Sequence, residues 1–289
     1  MKSILLLGLV TGLGFAEELR IIAIGAHPDD CDIKSGGTAA LFAAMGHKVK
    51  FLSVTNGDAG HQDMGGAVLA KRRYAETQES ARRSGISEYE VLNNHDGLLL
   101  PTLEVRLQII RAIRKWNADV VIAPRPNDYH PDHRYTGVLV QDAAYMVVVP
   151  NIASDASALK KNPVFLYYSD GFQKPAPFRP DIAISIDSVY EKKMDILDAH
   201  VSQFYEWLPW VDGSLNNVPK DAAARRKWLN GARTQKISDA VRASLEKWYG
   251  TEKAGTVKQV ESFEICEYGK QPNDEEIRRL FPMLNQMPK

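Results

Sequence analysis

The chain has 289 residues, of which 44% are hydrophobic and 25% are charged, a composition that suits one globular domain or at most two. Its 36 basic and 36 acidic residues balance, so the protein lacks the positive field that attracts polyanions, and nucleic acid is not an expected partner. The sequence contains two cysteines, which excludes a framework of several disulfides.

The first sixteen residues have the pattern of a signal peptide. Lys2 precedes an apolar stretch at residues 4–15, and Ala16 ends a Gly-Phe-Ala sequence with small residues at the two positions that a signal peptidase recognises. We expect cleavage near Ala16 and export of the mature chain. No stable membrane span is expected, because the apolar stretch is short for one. A retained N-terminal anchor or an ordinary first strand is the alternative.

Apolar runs typical of strands then alternate with amphipathic helical patterns along the chain. In chain order, the predicted elements are a strand at 20–26, a helix at about 35–45, a strand at 48–54, a helix at about 68–84, a short strand near 89–92, a helix at about 103–116, a strand at 119–123, a helix ending at about 146, and strands at 164–168 and 182–186. This alternation predicts an α/β protein with a Rossmann-like, mainly parallel sheet and helices on both faces. In such sheets, functional sites lie outside the carboxyl ends of the strands.

Two histidine motifs follow predicted strands at that edge. The first is His-Pro-Asp-Asp at residues 27–30, and the second is His-Pro-Asp-His at residues 130–133. Catalytic zinc takes three histidine or carboxylate ligands and keeps another position open, which His27, Asp30 and one histidine of the second motif would satisfy. Asp29 would stay uncoordinated beside the metal, where a carboxylate can act as a general base. The alternative is that the first motif only caps the helix after it.

With these motifs the chain resembles the PIG-L/LmbE-like family of zinc-dependent N-acetylglucosamine deacetylases. The further matching segments are Thr-Asn-Gly-Asp-Ala-Gly at 55–60, Arg73 with Glu76 and Gly85, Asp-Gly at 96–97, His-Val-Ser-Gln at 200–203 and, more weakly, Glu-Ser-Phe at 261–263. The resemblance implies a metal-dependent hydrolase that removes N-acetyl groups from amino sugars in glycans or glycoconjugates, with one Zn²⁺ per chain. Residues 206–255 match nothing in the family, and we expect them to be a helical insertion or extension of a single deacetylase domain at 17–289.

The same resemblance implies roles for the two histidine motifs. The zinc ligands that it implies are His27, Asp30 and His133. Asp29 would take a proton from the attacking water and return it to the departing amine. His130 would face the developing oxyanion, with Asp132 orienting its imidazole and favouring its protonated form. Coordination of zinc by His130 instead of His133 stays open at this point.

Four further residues receive roles from the resemblance. Arg73 and Asp96 correspond to substrate contacts of the family and suit sugar hydroxyls, or a phosphate in the case of Arg73. Asp58 and His200 correspond to positions near the site, and we expect them to support it from behind the ligands.

Several residues allow more than one interpretation. Cys31 follows Asp30 directly, so zinc coordination by its thiolate is an alternative to burial as a small apolar side chain. Whether Cys31 pairs with Cys266 is open, as is a homo-oligomer. The tryptophans at 207, 210 and 228 could face a sugar or pack in the core.

Two other functions remain possible on the sequence alone. One is a zinc amidohydrolase that acts on a non-sugar acylated amine. The other is a noncatalytic zinc-containing protein that binds carbohydrate. The uncoordinated Asp29 argues against the second, because binding alone does not require an acid beside an open metal.

Overall fold

The computed structural model describes residues 17–232 and 236–285, which form a seven-stranded sheet with helices around it. The strands are β1 (Arg20–Gly25), β2 (Lys48–Thr55), β3 (Glu88–Asn94), β4 (Val120–Ala123), β5 (Val164–Tyr168), β6 (Ile182–Ser185) and β7 (Val260–Gly269). The helices are α1 (Asp30–Ala44), α2 (Gly66–Ser84), α3 (Leu103–Trp116), α4 (Pro131–Met146), α5 (Tyr190–Asp198), α6 (Leu208–Val211), α7 (Ala222–Ala232), α8 (Asp239–Tyr249), α9 (Thr251–Thr256) and α10 (Asp274–Leu280).

The strand order is β3-β2-β1-β4-β5-β7-β6. Strands β1 to β5 pair in parallel, whereas β7 lies antiparallel between β5 and β6. The predicted α/β fold with a mainly parallel, Rossmann-like sheet is therefore confirmed. The chain runs outward from β1 to β3 and then returns to β4 on the other side of β1. The carboxyl ends of β1 and β4 therefore flank the point where the strand order reverses, which is where open α/β sheets hold their ligands.

Helices cover both faces of the sheet, and β1 is buried between them. Ile21 and Ala23 belong to the core layer that also contains side chains of α1, α8 and α10. Ile22 and Ile24 belong to the opposite layer, with side chains of α3 and α4. Successive strand side chains point to opposite faces, so apolar residues at every position bury β1 on both sides. This burial fixes the strand end from which the first histidine motif continues.

Two predictions about the organisation of the chain concern residues 1–16 and residues 206–255. The predicted signal peptide at 1–16 lies outside the described residues. In the segment 206–255 the structure has helices α6 to α9, and Leu245 of α8 packs with Ala183 of β6. No helix within the described parts of the chain is long and apolar enough to cross a membrane.

The two cysteines occupy separate places in the core. Both are buried and free. Cys31 donates its thiol proton to the carbonyl of Ala23 at 3.2 Å, and burial raises the pKa of this thiol well above its usual value. Cys266 lies 3.0 Å from the hydroxyl of Tyr167. Neither cysteine is therefore arranged as a disulfide partner or as a thiolate ligand.

A buried ion pair joins β7 to α5, and hydrogen bonds from the same glutamate reach α1, which together predict a large stability effect. The carboxylate of Glu261 accepts the N–H groups of Gly37 and Thr38 at 2.9 and 2.7 Å, and Lys193 Nζ lies 2.6 Å away. Glu261→Ala would leave the ammonium without its charge partner, so we expect a loss of about 3–5 kcal/mol in the free energy of unfolding, measured by urea denaturation. Glu267→Ala, at an exposed position of the same strand, is the control. Equal losses in both variants would contradict the role of the ion pair.

Candidate metal centre

The turn between β1 and α1 fixes the orientation of one carboxylate. Gly25 makes room for it, since a Cβ atom on Gly25 would lie 2.6 Å from Cβ of Asp30. The N–H groups of Asp29 and Asp30 donate to the carbonyl of His27 at 2.8 and 3.2 Å, and this tight turn starts the helix. Asp30 Oδ2 accepts the N–H groups of Ala26 and His27, each at 2.8 Å. The other oxygen, Oδ1, is left to face the second histidine motif.

Three donor atoms from the two motifs converge at this edge of the sheet. His27 Nδ1 lies 3.1 Å from His133 Nε2, and Asp30 Oδ1 lies 3.4 Å from the same nitrogen. Asp30 Oδ2 lies 3.7 Å from His27 Nδ1. Ligands at about 2.0–2.1 Å from a tetrahedral zinc ion lie about 3.3–3.4 Å from one another. The two distances to His133 Nε2 therefore match the spacing expected between ligands of a single ion.

The ring nitrogens of His27 and His133 that lie away from the three donor atoms face carboxylates. His133 Nδ1 lies 2.9 Å from Asp128 Oδ1, and His27 Nε2 faces Asp96 Oδ1 at 3.1 Å and Asp132 Oδ2 at 3.4 Å. A carboxylate beside one ring nitrogen fixes the proton there and leaves the other nitrogen as a lone pair. With a metal bound, a lone pair on each of the two rings and the carboxylate oxygen of Asp30 would face the ion. Such a set fits a cation, and nitrogen with carboxylate oxygen suits zinc.

The charges around the donors also favour a cation. Burial opposes protonation of the two histidines, but neighbouring carboxylates raise the pKa of His27 to about 9 and that of His133 to about 10. Burial likewise opposes ionisation of Asp30, but the two histidines hold the pKa of its carboxyl well below the usual range. The protein therefore stabilises positive charge at this point.

His130 lies in the same histidine cluster but in a different setting. Donor nitrogens of His27, His130 and His133 all lie within 4.8 Å of one another. His130 Nδ1, however, accepts the backbone N–H of Asp132 at 3.2 Å, whereas a carboxylate stands behind His133. Because metal-bound histidines usually donate their other N–H to an oxygen acceptor, the set of His27, Asp30 and His133 fits a metal better than one that includes His130.

The contacts of Asp132 differ from the prediction that it orients the imidazole of His130. Its carboxylate accepts the backbone N–H groups of Gly97 and Leu99, at 2.7 and 3.3 Å, and faces His27. Burial, together with the charges of His27 and His133, lowers the pKa of His130. These surroundings oppose the protonation that was expected for His130. Because Nδ1 accepts a hydrogen bond, the neutral ring would carry its proton on Nε2.

Asp29 lies beside the donor set and is held by a buried arginine. Arg73 Nη2 donates to Asp29 Oδ1 at 3.2 Å, and Nη1 donates to the carbonyl of Gly57 at 3.3 Å and to Asp96 Oδ2 at 3.4 Å. Gly57 has a φ of 70°, and a Cβ there would lie 2.7 Å from the guanidinium, so this close approach needs glycine. Burial raises the pKa of Asp29 against the opposing charge of Arg73.

Arg73 and Asp96 are largely buried and contact protein groups. Arg73 is 2% exposed and Asp96 is 7% exposed. Arg73 orients the carboxylate of Asp29, and Asp96 faces Nε2 of His27. Their predicted contact with substrate stays a prediction.

Comparison with known proteins agrees with this geometry. The sequence model of the PIG-L family, described as GlcNAc-PI de-N-acetylase, matches residues 22–144, a range that holds both histidine motifs. A diacetylchitobiose deacetylase of Thermococcus kodakarensis is 32% identical over 208 residues, which cover 68% of this chain and 75% of the relative. The chain belongs to the PIG-L family. A probable N-acetyl-alpha-D-glucosaminyl L-malate deacetylase 2 of Bacillus cereus is 29% identical over 226 residues, covering 73% of this chain and 94% of the relative.

A solved structure of the same family has a similar fold. It is the N,N'-diacetylchitobiose deacetylase of Pyrococcus horikoshii in complex with its inhibitor MPG, with a TM-score of 0.63 and 26% identity. The alignment covers 85% of this chain and 83% of that structure. The shared PIG-L fold therefore extends well beyond the residues that carry the histidine motifs.

The two remaining predicted residues lie behind the donor set. Asp58 accepts the N–H of Asp96 at 2.9 Å and contacts His95 Nδ1 at 2.6 Å, so it fixes the loop that carries Asp96. His200 is fully buried, with Nε2 at 3.3 Å from the carboxylate of Asp32. Both predicted supporting residues thus lie near the site without being part of the donor set.

Sequence reasoning missed Asp128 and Tyr129. Asp128 accepts the backbone N–H of His130 at 3.1 Å and contacts His133 as described. The Tyr129 ring centroid lies 5.4 Å from that of His133, and the residue is 73% exposed, so it stands at the mouth of the site. Their position directly before the second motif was the available signal.

The contact of Asp128 with His133 predicts a specific effect on metal affinity. Asp128→Asn keeps the shape but removes the charge that fixes the proton of His133, so we expect metal affinity to fall about 10–100-fold, measured by competition with a chelator. The control is Asp142→Asn. Asp142 lies on α4, as His133 does, and forms an exposed ion pair with Arg106 of α3. Unchanged affinity in Asp128→Asn would contradict the assigned contact.

Proposed function

We propose that this protein is a zinc-dependent N-deacetylase that hydrolyses the acetamide group of N-acetylglucosamine-containing sugars. The observation that carries the proposal is the convergence of His27 Nδ1, Asp30 Oδ1 and His133 Nε2, with the uncoordinated carboxylate of Asp29 beside them. A site that only binds metal needs no such carboxylate. A hydrolase needs one to activate water.

The named relatives support the sugar as substrate. Two of them carry names of deacetylases, one acting on diacetylchitobiose and one on N-acetylglucosaminyl malate. Both substrates contain an N-acetylated glucosamine, so we assign this chain to the same substrate class. The alternatives are a non-sugar acylated amine as substrate and a noncatalytic sugar-binding role, and neither is named for these two relatives.

His27, Asp30 and His133 would hold the zinc ion. When bound, such an ion supplies Lewis acidity, which polarises the amide carbonyl and makes nearby water easier to deprotonate. The remaining catalytic steps are assigned to side chains that the structure places around this position.

Asp29 acts as the general base and then as the acid. Arg73 holds its Oδ1 at 3.2 Å, so the carboxylate has one fixed orientation and Oδ2 can accept the proton of the attacking water. Burial raises the pKa of this carboxyl, which makes it a stronger base than an exposed aspartate. It returns the proton to the amine nitrogen as the C–N bond breaks.

His130 stabilises the oxyanion as a neutral donor. Its Nδ1 accepts the N–H of Asp132 at 3.2 Å, so the proton on Nε2 is available for the carbonyl oxygen of the amide. Neutral histidine suffices because a fixed N–H donor near developing charge is stabilising without carrying a charge itself. This step replaces the protonated histidine that was expected from the sequence.

The deciding experiment is amine release from N-acetylglucosamine, its oligomers and non-sugar acetamides, using protein of measured zinc content. We expect release from the sugars, loss of release after chelation and recovery with zinc. Release from non-sugar acetamides alone would reject the sugar assignment, and silence from fully zinc-loaded protein would reject the enzyme. Export of the mature chain, predicted from residues 1–16, would place the substrate outside the cytoplasm and stays a prediction.

A further inference from the structure

The loop before α2 packs on the arginine that holds Asp29. The carbonyl of Gly57 in this loop accepts a hydrogen bond from Arg73 Nη1 at 3.3 Å. A Cβ atom on Gly60 would lie 3.0 Å from the same nitrogen, so the backbone of the loop leaves no room beside the guanidinium. Residues 57–61 are called the site loop below. The direction in which Arg73 presents Nη2 to Asp29 therefore depends on the position of the site loop.

A π-helical turn at Gln203–Trp207 contacts the site loop. Such turns are rare and occur frequently at functional sites. Gln203 Nε2 donates to the carbonyl of Gly60 at 3.1 Å, and Glu206 Oε2 lies 2.8 Å from His61 Nε2. His61 Nδ1 accepts a backbone N–H at 3.1 Å, so the ring donates from Nε2 to Glu206. Two side chains of the π-helical turn are therefore hydrogen-bonded to successive residues of the site loop.

Arg72 fixes the carboxylate of Glu206 in this position. Arg72 Nη1 and Nη2 donate to the two oxygens of Glu206, each at 2.7 Å. A two-point contact between opposite charges sets the direction of both groups. It also holds the pKa of the Glu206 carboxyl below its usual value, so Glu206 is ionised at neutral pH. The four side chains of Arg72, His61, Gln203 and Glu206 are called the loop clamp below.

The ionic contact in the loop clamp is shorter than the hydrogen bonds of Arg73. Arg73 donates to its three partners at 3.2–3.4 Å, beyond the usual N–H···O distance of about 2.9–3.0 Å. Contacts of this length orient a guanidinium weakly, so its packing against the site loop has to supply the rest. Arg72 and Arg73 are neighbours on α2. One helix therefore carries both a part of the clamp and the arginine that the clamp positions.

We propose that Glu206 is a positioning residue, which through the site loop keeps Arg73 directed at Asp29. The proposal rests on the proposed function and assigns a role to the first residue of the segment 206–255, which matches nothing in the family. Both oxygens of Glu206 are engaged within the loop clamp, so the residue acts through these contacts and not on the substrate. Loss of its carboxylate frees the site loop, and with it the guanidinium that orients the general base.

The test is Glu206→Ala in the zinc-loaded enzyme, assayed by amine release from N-acetylglucosamine and its oligomers. We expect kcat to fall about tenfold while KM and zinc content stay at wild-type values, because a small displacement of a catalytic group is costly. Glu206→Gln keeps an acceptor for Arg72 and recovers part of the loss. The matched control is Asp155→Ala, which removes the acidic partner of Arg111 from another arginine pair and keeps kcat within about twofold.

Two further measurements separate positioning from a general loss of stability. In an Arg73→Lys background, Glu206→Ala should add little to the loss of kcat, because the clamp acts through the guanidinium that is already missing. Hydrogen exchange of the backbone amides of residues 57–66 should accelerate about tenfold in Glu206→Ala and stay at the wild-type rate in Asp155→Ala, because only the first variant frees the site loop.

Four results would overturn the positioning role. Unchanged kcat in Glu206→Ala rejects it outright, and a raised KM at unchanged kcat would place Glu206 at the substrate. An equal loss of kcat in the Arg73→Lys background would mean that Glu206 acts elsewhere, and loss of zinc would make it a support of the metal donors. Amine release by the wild-type protein separates these results from the proposed function. Where the wild type releases amine, they reject the role of Glu206 alone, whereas a zinc-loaded wild type without release rejects the deacetylase and the positioning role with it.

Discussion

The Asp29→Asn variant is expected to lose about 10²–10⁴-fold in kcat while its zinc content stays at the wild-type level. Asparagine has the same shape and can still accept the hydrogen bond from Arg73, which donates to Oδ1 at 3.2 Å. It cannot take a proton from water. The loss should therefore appear in kcat, with little change in KM, and it is measured by amine release at saturating substrate.

The zinc content of Asp29→Asn and a control variant together show whether Asp29 is a base or a structural residue. Asp63→Asn removes an exposed carboxylate near the site loop and should leave kcat within about twofold, because surface substitutions rarely disturb a site. Wild-type turnover in Asp29→Asn would reject Asp29 as the base. Loss of zinc together with turnover would instead make Asp29 a ligand.

The location of the site could be predicted from the sequence because it depends on strand order and on local motifs. Residues 27–30 and 130–133 each follow an apolar run, and parallel strands bring such positions to one edge. The pairing of β1 with β4, between Ile21 and Val120 for example, brings the two motifs together. Local sequence was sufficient for the location because the first motif directly follows β1 and a short loop leads from β4 to the second motif.

The start of α1 and the strand β7 were not predictable in the same way. The helix begins at Asp30, five residues before the predicted start, because the turn through His27 directs Asp30 into the first helical turn. Strand β7 contains Glu261 in an otherwise strand-like run, and its partners β5 and β6 are distant in sequence. A buried glutamate appears polar in sequence, and only its contacts with Lys193 and α1 explain its burial.

Proton positions were the part of the site that sequence could not supply. A motif gives the order of His130, Asp132 and His133, but not which atom each side chain meets. Asp132 was assigned to His130, yet its carboxylate faces His27 and its backbone N–H contacts His130. Asp128 was overlooked, although it contacts His133 from five positions earlier. Such contacts depend on how the loop folds back on the start of α4, which no periodicity encodes.

The second large effect is expected for His133→Ala, which should fail to retain zinc through dialysis and should lose amine release completely. The variant removes one of three donors and leaves Asp30 and Asp128 facing each other without the imidazole that lies between them. His130→Ala should keep about one zinc ion per chain and still lose most of its kcat, since it removes only the oxyanion donor. Metal analysis after dialysis and amine release are measured on both variants.

This pair of variants decides which histidine of the second motif binds the metal. His47→Ala serves as the control, because His47 contacts the N–H of Leu19 at the opposite end of α1 and should affect neither zinc content nor turnover. Zinc lost in His130→Ala and kept in His133→Ala would reverse the assignment. It would also mean that the close approach of His133 Nε2 to His27 Nδ1 and Asp30 Oδ1 does not mark the metal position. Circular dichroism of each variant separates this outcome from unfolding.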